Sequence, residues 1–167
     1  MKIFLICFNI ILFFLAGKTY GQASATASFT ASATIIQPIG ITTTANMNFA
    51  NLDARSGGAV ILSPENTRIS TGGVTLADNA TVSAASFEVT GEEGFTFSLT
   101  LPEDEYVLFN GNEKMIIKDF TSSLGESQSL SGGSKVVRVG ATLNVTPNQM
   151  PGVYNSRSSI NITVNYN

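Results

Sequence analysis

Period-two alternation at the end of the chain constrains the fold more than any other feature. From Ile160 onward the even positions are Ile160, Ile162, Val164 and Tyr166, separated by Asn161, Thr163 and Asn165. Such alternation gives one buried face and one wet face, which is a β-strand lying on a core. The stretch Val153–Asn167 is therefore expected to be a strand whose docking closes that core. Replacing Ile162 by Asp is expected to unfold the domain, because it would bury an unpaired charge. The same period recurs in Phe95–Leu101, with Phe95, Phe97, Leu99 and Leu101 on one face. It recurs again in Lys135–Val145, with Val137, Val139, Ala141, Leu143 and Val145 aligned. No window outside the amino-terminal segment sustains a 3.6-residue period, and no repeat recurs at solenoid spacing.

Turn-forming residues divide the remaining chain into short strands. Ile39–Asn51, after Pro38, reads as a strand region anchored by Met47 and Phe49, and Asp53–Gly58 as a turn cluster. Val60–Ser63 and Thr67–Ser70 flank Pro64-Glu65-Asn66 as a hairpin, and Gly72-Gly73 interrupts the path as a bulge or bend. Asp78-Asn79-Ala80 reads as another turn. Ser86–Thr90, joined to Phe95–Leu101 through Gly91-Glu92-Glu93-Gly94, is expected to form a hairpin. So are Tyr106–Phe109 and Glu113–Phe120, around the Asn-Gly pair of Asn110-Gly111-Asn112. Thr121–Ser134 reads as a long exposed loop. Regular short strands with turns between them predict an all-β, antiparallel β-sandwich, immunoglobulin-like or pilin-like, with no helix outside the signal peptide.

The amino terminus reads as an export signal. Lys2 supplies a positive start, and Ile3–Gly17 is apolar except for Asn9, too short for a membrane span of about 20 residues. Small residues at Gly21 and Ala23 place cleavage after Ala23. Leu15-Ala16-Gly17 begins a lipobox, but Lys18 stands where its Cys is required, so no lipid anchor is expected. The chain thus divides into a signal peptide (1–23), a leader (24–34) and a sandwich domain (35–167), secreted or held at the cell surface with no membrane anchor after cleavage. In the leader Ala25, Ala27, Phe29, Ala31 and Ala33 alternate with Ser and Thr. It reads either as an edge strand lying over a sheet or as a segment added to another subunit's sheet.

Residue inventory bounds the chemistry. The chain of 167 residues has no His, and its one cysteine, Cys7, lies in the signal. Disulfides, thiolate nucleophiles, Ser-His-Asp arrangements and His- or Cys-based metal sites are thereby excluded from the exported part. Without Lys2 and Lys18 it carries seven basic and twelve acidic residues, a charge of −5 with no basic stripe to release phosphate counterions, so no nucleic acid is expected. The densest acidic run, Glu103-Asp104-Glu105, reads as a solvated hairpin end rather than a carboxylate pair with a raised pKa. Asp53, Asp78 and Asp119 each stand alone, without the spacing of a calcium loop. Gly57-Gly58, Gly72-Gly73 and Gly132-Gly133 precede no helix and read as turns or bulges. Tyr106, Tyr154 and Tyr166 would suit a sugar platform, but two of them sit on core-facing positions. No catalytic residue, cofactor or metal is expected.

Ordered motifs carry a family resemblance. Gly72-Gly73-Val74, Phe87-Glu88-Val89-Thr90-Gly91, Phe97-Ser98-Leu99-Thr100-Leu101-Pro102 and Val139-Gly140-Ala141-Thr142-Leu143 occur in that order. Pro151-Gly152-Val153-Tyr154 and Val164-Asn165-Tyr166 complete the set. Over roughly Ala33–Asn167 the chain resembles the domain-of-unknown-function family 4402 of secreted bacterial proteins. That resemblance implies export and transfers no functional residue. Ala50, after Met47-Asn48-Phe49, stands where the pattern leads one to expect Gly. The ending is more distantly similar to pilin subunits, in which a Tyr occupies the penultimate position as Tyr166 does. The expected role is an exported, non-enzymatic structural or adhesive subunit, associating with other subunits by strand addition or with a surface ligand. The alternative is a monomeric secreted binding module for a glycan or a protein ligand.

Overall fold

The computed structural model describes residues 21–77, 80–125 and 128–167. Residues 1–20, the greater part of the expected signal and including Cys7, together with Asp78 and Asn79 of the expected turn, and Glu126 and Ser127, lie outside the described residues. The chain divides into two units, Met1–Thr34 and Ile35–Asn167. In the first, the described stretch Gly21–Thr34, which includes the expected cleavage residue Ala23, holds no strand or helix. The leader's alternation is a strand pattern that forms no strand there.

The second unit is an antiparallel β-sandwich. Its strands are β1 (Gly40–Ala45), β2 (Leu52–Asp53), β3 (Gly58–Leu62), β4 (Arg68–Gly72), β5 (Thr75–Leu76) and β6 (Ala85–Thr90). After them come β7 (Thr96–Thr100), β8 (Tyr106–Asn110), β9 (Glu113–Ser122), β10 (Gln128–Ser129), β11 (Ser134–Val145), β12 (Asn155–Ser156) and β13 (Thr163–Tyr166). The larger sheet runs β1-β6-β11-β9-β8-β12, with the β3-β4 hairpin attached to β11. Facing it is the three-stranded sheet β10-β7-β13, and β2 pairs with β5 alone.

β11 organises the larger sheet. One of its edges pairs with β6 through the first half (Val137 opposite Phe87) and with β3 through the second (Leu143 opposite Val60). Its other edge pairs with β9. The change of partner falls at Gly140, where a Cβ would strike the Leu62 carbonyl and the Ser63–Pro64 link. Only a residue without a side chain lets two partner strands abut there. Val137, Val139, Ala141, Leu143 and Val145 are all buried, as the alternation requires.

The core has two parts. One gathers Val60, Leu62, Met115, Ile117 and Leu143, and the other Val89, Phe97, Leu130, Val137 and Val139. Met47 and Phe120 pack against both. Phe120 reaches that position because the β9–β11 register slips between Gly140 and Thr142, with Asp119 in the left-handed region at φ 51. Such a bulge re-aims the side chain that follows it. The Phe120 ring then lies edge-on to Tyr106, with centroids 5.9 Å apart.

Several expectations are corrected. Ser86–Thr90 and Phe95–Leu101 do not form a hairpin, for β6 pairs with β1 and β11 while β7 pairs with β10 and β13. The link Gly91–Gly94 arches from one sheet to the other. Gly94 N donates to Leu130 O at 2.8 Å, Glu92 N donates to the Tyr166 hydroxyl at 2.7 Å, and a Cβ on Gly91 would meet Tyr166 and Leu130. Both edges of β6 are occupied, by β1 and by the longer β11, so local turn chemistry yields to tertiary pairing.

Thr121–Ser134 is not a wholly exposed loop. β9 continues to Ser122, β10 adds to β7, Ser131–Gly133 forms one 3₁₀ turn, and Leu130 is 0% exposed. The closing stretch is two strands, β12 on β8 and β13 on β7, so it passes from one sheet to the other. Its inward residues Ile160, Ile162, Val164 and Tyr166 are only half-buried. Ile162 belongs to neither core cluster. A carboxylate there can reach water, so Ile162→Asp loses the unfolding effect that full burial would give it. The β8–β9 hairpin forms as expected, with Asn110 opposite Glu113, which puts Gly111-Asn112 rather than Asn110-Gly111 at the centre of the turn.

Candidate binding groove

The two sheets do not close on each other along one seam. Among the described residues β1 pairs only with β6 and β13 only with β7, so each ends its sheet with one edge unpaired there. Between the end of β1 and the stretch that leads into β13 runs an open groove of about 1550 Å³. One wall is the stretch 43–55, the other 148–162, and Met115, Ile117, Phe120, Val139 and Leu143 contribute to the floor. The floor residues lie on β9 and β11 because their period-two faces point into the sandwich. The walls carry the half-buried Met47, Leu52, Tyr154 and Ile160, which pack against the core.

The two walls are tied to each other where Asn148 N donates to Arg55 O at 3.0 Å. Outside the groove, the Tyr166 hydroxyl donates to Gln37 O at 2.7 Å, and Gln37 N donates to Glu92 Oε2 at 2.8 Å. The groove is an open slot between the two walls.

Polar residues hold each wall in shape. Arg68, on β4, donates from Nη1 to Phe49 O and to Asn51 O (2.9 Å for the latter), and from Nη2 to Ala77 O at 2.8 Å. One guanidinium thus fixes three carbonyls, two of them in the wall itself. Asn48 Oδ1 accepts from Ala50 N at 2.9 Å, closing a side-chain turn, and the Asn48 backbone bridges to Ser83. In the opposite wall Gln149, 9% exposed, accepts from Thr146 Oγ1 and donates to Glu113 Oε2 at 3.2 Å and to the Tyr154 hydroxyl at 2.9 Å. The Tyr154 hydroxyl in turn donates to Met150 O at 2.7 Å. None of the described buried side-chain polar atoms lacks a partner.

The Asn48 turn settles what Ala50 does. Its φ is 56, so the backbone bends there as it would with glycine. An L-residue in that conformation costs about 1–2 kcal/mol, of which glycine's greater unfolded freedom returns part. Ala50→Gly is expected to raise the unfolding free energy by about 0.5 kcal/mol, read as a melting temperature higher by about 1–2 °C. A fall in melting temperature would show that the Ala50 methyl contributes packing.

The residues considered from sequence are distributed otherwise. Glu103, Asp104 and Glu105 are exposed, and Glu105 pairs with Lys118 at 3.5 Å. Asp53 is the one carboxylate among the described residues that line the groove, and it pairs with Arg55 at 2.8 Å. Among the described residues no three acids cluster as a metal site would need. Tyr106 and Tyr154 pack on one core cluster and Tyr166 on the other, so they form no shared platform. No helix of the described residues is long and apolar enough to cross a membrane.

Arg68 and Gln149, which shape the slot, were not singled out from sequence. Parity in β4 pointed away from Arg68, because Ile69 is the apolar residue of that strand, yet Ile69 is exposed and Arg68 is half-buried.

No curated protein and no solved structure matches the chain. Residues 39–166, which include both walls and the floor of the slot, match the model of a family described as a domain of unknown function, and the chain belongs to that family, DUF4402.

Proposed function

We propose that the protein is an exported, non-enzymatic structural or adhesive subunit of the cell surface or extracellular space. The slot between stretches 43–55 and 148–162, beside the open edges of β1 and β13, is the observation that carries this reading. An unpaired strand edge offers a row of backbone donors and acceptors to another chain, and an apolar floor adds pockets for alternate side chains. Supporting it, among the described residues the slot is lined by a single carboxylate, already ion-paired, and by no His or Cys. A site of that composition offers surface for binding rather than groups for proton transfer.

The purified exported chain is expected to migrate as a ladder of species on a gel when unboiled and as one band after boiling. Its mass by light scattering should rise with concentration. A single monomeric species at every concentration would overturn the subunit reading in favour of a monomeric binding module.

A further inference from the structure

We propose that the slot is filled by the leader, Ser24–Thr34, of a second copy of this chain, with Phe29 as its anchor. The proposal rests on the subunit reading above and assigns its partner and contact. Three observations favour this occupant. The leader alternates with period two, forms no strand within its own unit, and leaves Phe29 92% exposed. Its inward set is four alanines and one phenylalanine, a profile that lets a strand lie deep between two walls and seat one large side chain. From Ser24 to Leu52 the chain has no charged residue, and the charged residues among the described lining of the slot are Asp53, Arg55 and Arg157.

A leader inserted there would pair with the free edge of β1, of β13, or of both, and would cover Ile162 and Val164. Those two are inward by period yet only half-buried. A second copy, rather than the same chain, is the donor because of the connection between leader and β1. To lie beside its own β1, the leader would have to reverse tightly within Ile35-Ile36-Gln37-Pro38. Tight hairpin reversals need residues at positive φ, which two β-branched residues resist and proline cannot adopt. Gln37 has both its backbone N and O already engaged, with Glu92 and Tyr166.

The test uses the exported chain carrying Phe29→Ser, alongside wild type and a Ser28→Cys plus Asn161→Cys variant. The exported chain has no native thiol, so a short bismaleimide linker reports only the introduced pair. Phe29→Ser should leave the monomer's melting temperature unchanged and weaken assembly at least tenfold. A synthetic peptide of residues 24–36 should block wild-type assembly, and the same peptide with serine at position 29 should not. Mixed single-cysteine chains should link into dimers. Were Phe29→Ser to assemble as wild type does, the leader would not be the occupant, though the subunit reading would stand. A double-cysteine variant linked only within one chain at all concentrations would place the leader in its own slot and overturn the assignment. Failure of wild type to assemble at all would overturn both readings.

Discussion

Replacing Phe97 by alanine is expected to lower the unfolding free energy by about 3–5 kcal/mol, the usual range for deleting a buried phenyl ring. Phe97 is 2% exposed and sits on the central strand of the small sheet, paired with Gln128 on one side and Tyr166 on the other. Its ring belongs to the cluster of Val89, Leu130, Val137 and Val139. Three of those four are β-branched side chains on paired strands, stiff at χ1, so they cannot swing in to fill the void. The loss is a large part of the 5–15 kcal/mol by which such domains are stable. Urea titration should move the midpoint with little change in slope. Phe95→Ala provides the control, since Phe95 has the same parity but is 39% exposed at the strand's start, where it meets Tyr166 edge-on at 5.4 Å. A Phe97→Ala loss no larger than that of Phe95→Ala would mean the small sheet is not a closing layer of the core.

What was legible in the sequence was whatever rests on side-chain period. β11 shows its five buried residues in order, and the β3-β4 and β8-β9 hairpins announce themselves through Pro64-Glu65-Asn66 and Asn110-Gly111-Asn112. What was not legible is which strand each edge takes as its partner. Gly91-Glu92-Glu93-Gly94 has the composition of a hairpin turn, and only the competition of β1 and β11 for the edges of β6 makes it an arch. Leu130 is a single leucine among serines and glycines, without the neighbours that would create a period, so its complete burial leaves no local signature. The slot is a sharper case. The alternation of Ile160–Tyr166 indicates which face is inward, but the lack of a partner on the outer edge of β13 belongs to the assembled sheets.

Arg68→Met is the second substitution with a large expected effect, a loss of about 2–4 kcal/mol. A hydrogen bond to a charged group contributes about 1.5–3 kcal/mol, and three that share one guanidinium are not additive. Methionine keeps much of the apolar stem, so what is removed is the donor fork alone. Arg68→Lys should recover less than half of the loss, because one ammonium cannot span the carbonyls of Phe49 and Asn51 on one side and Ala77 on the other. Hydrogen exchange separates this from a general loss of stability. Amides between Met47 and Leu52 should exchange faster in Arg68→Met under conditions where β9 and β11 remain protected. Uniform acceleration throughout the sandwich would mean that Arg68 supports the core rather than the wall. Under selective acceleration, the wall owes its shape to a cation reaching across from β4, and not to pairing along β1. This wall has only the Asn48–Ser83 bridge and the two-residue β2–β5 ladder to pair its backbone, and Arg68 adds the side-chain hold that fixes its shape between them.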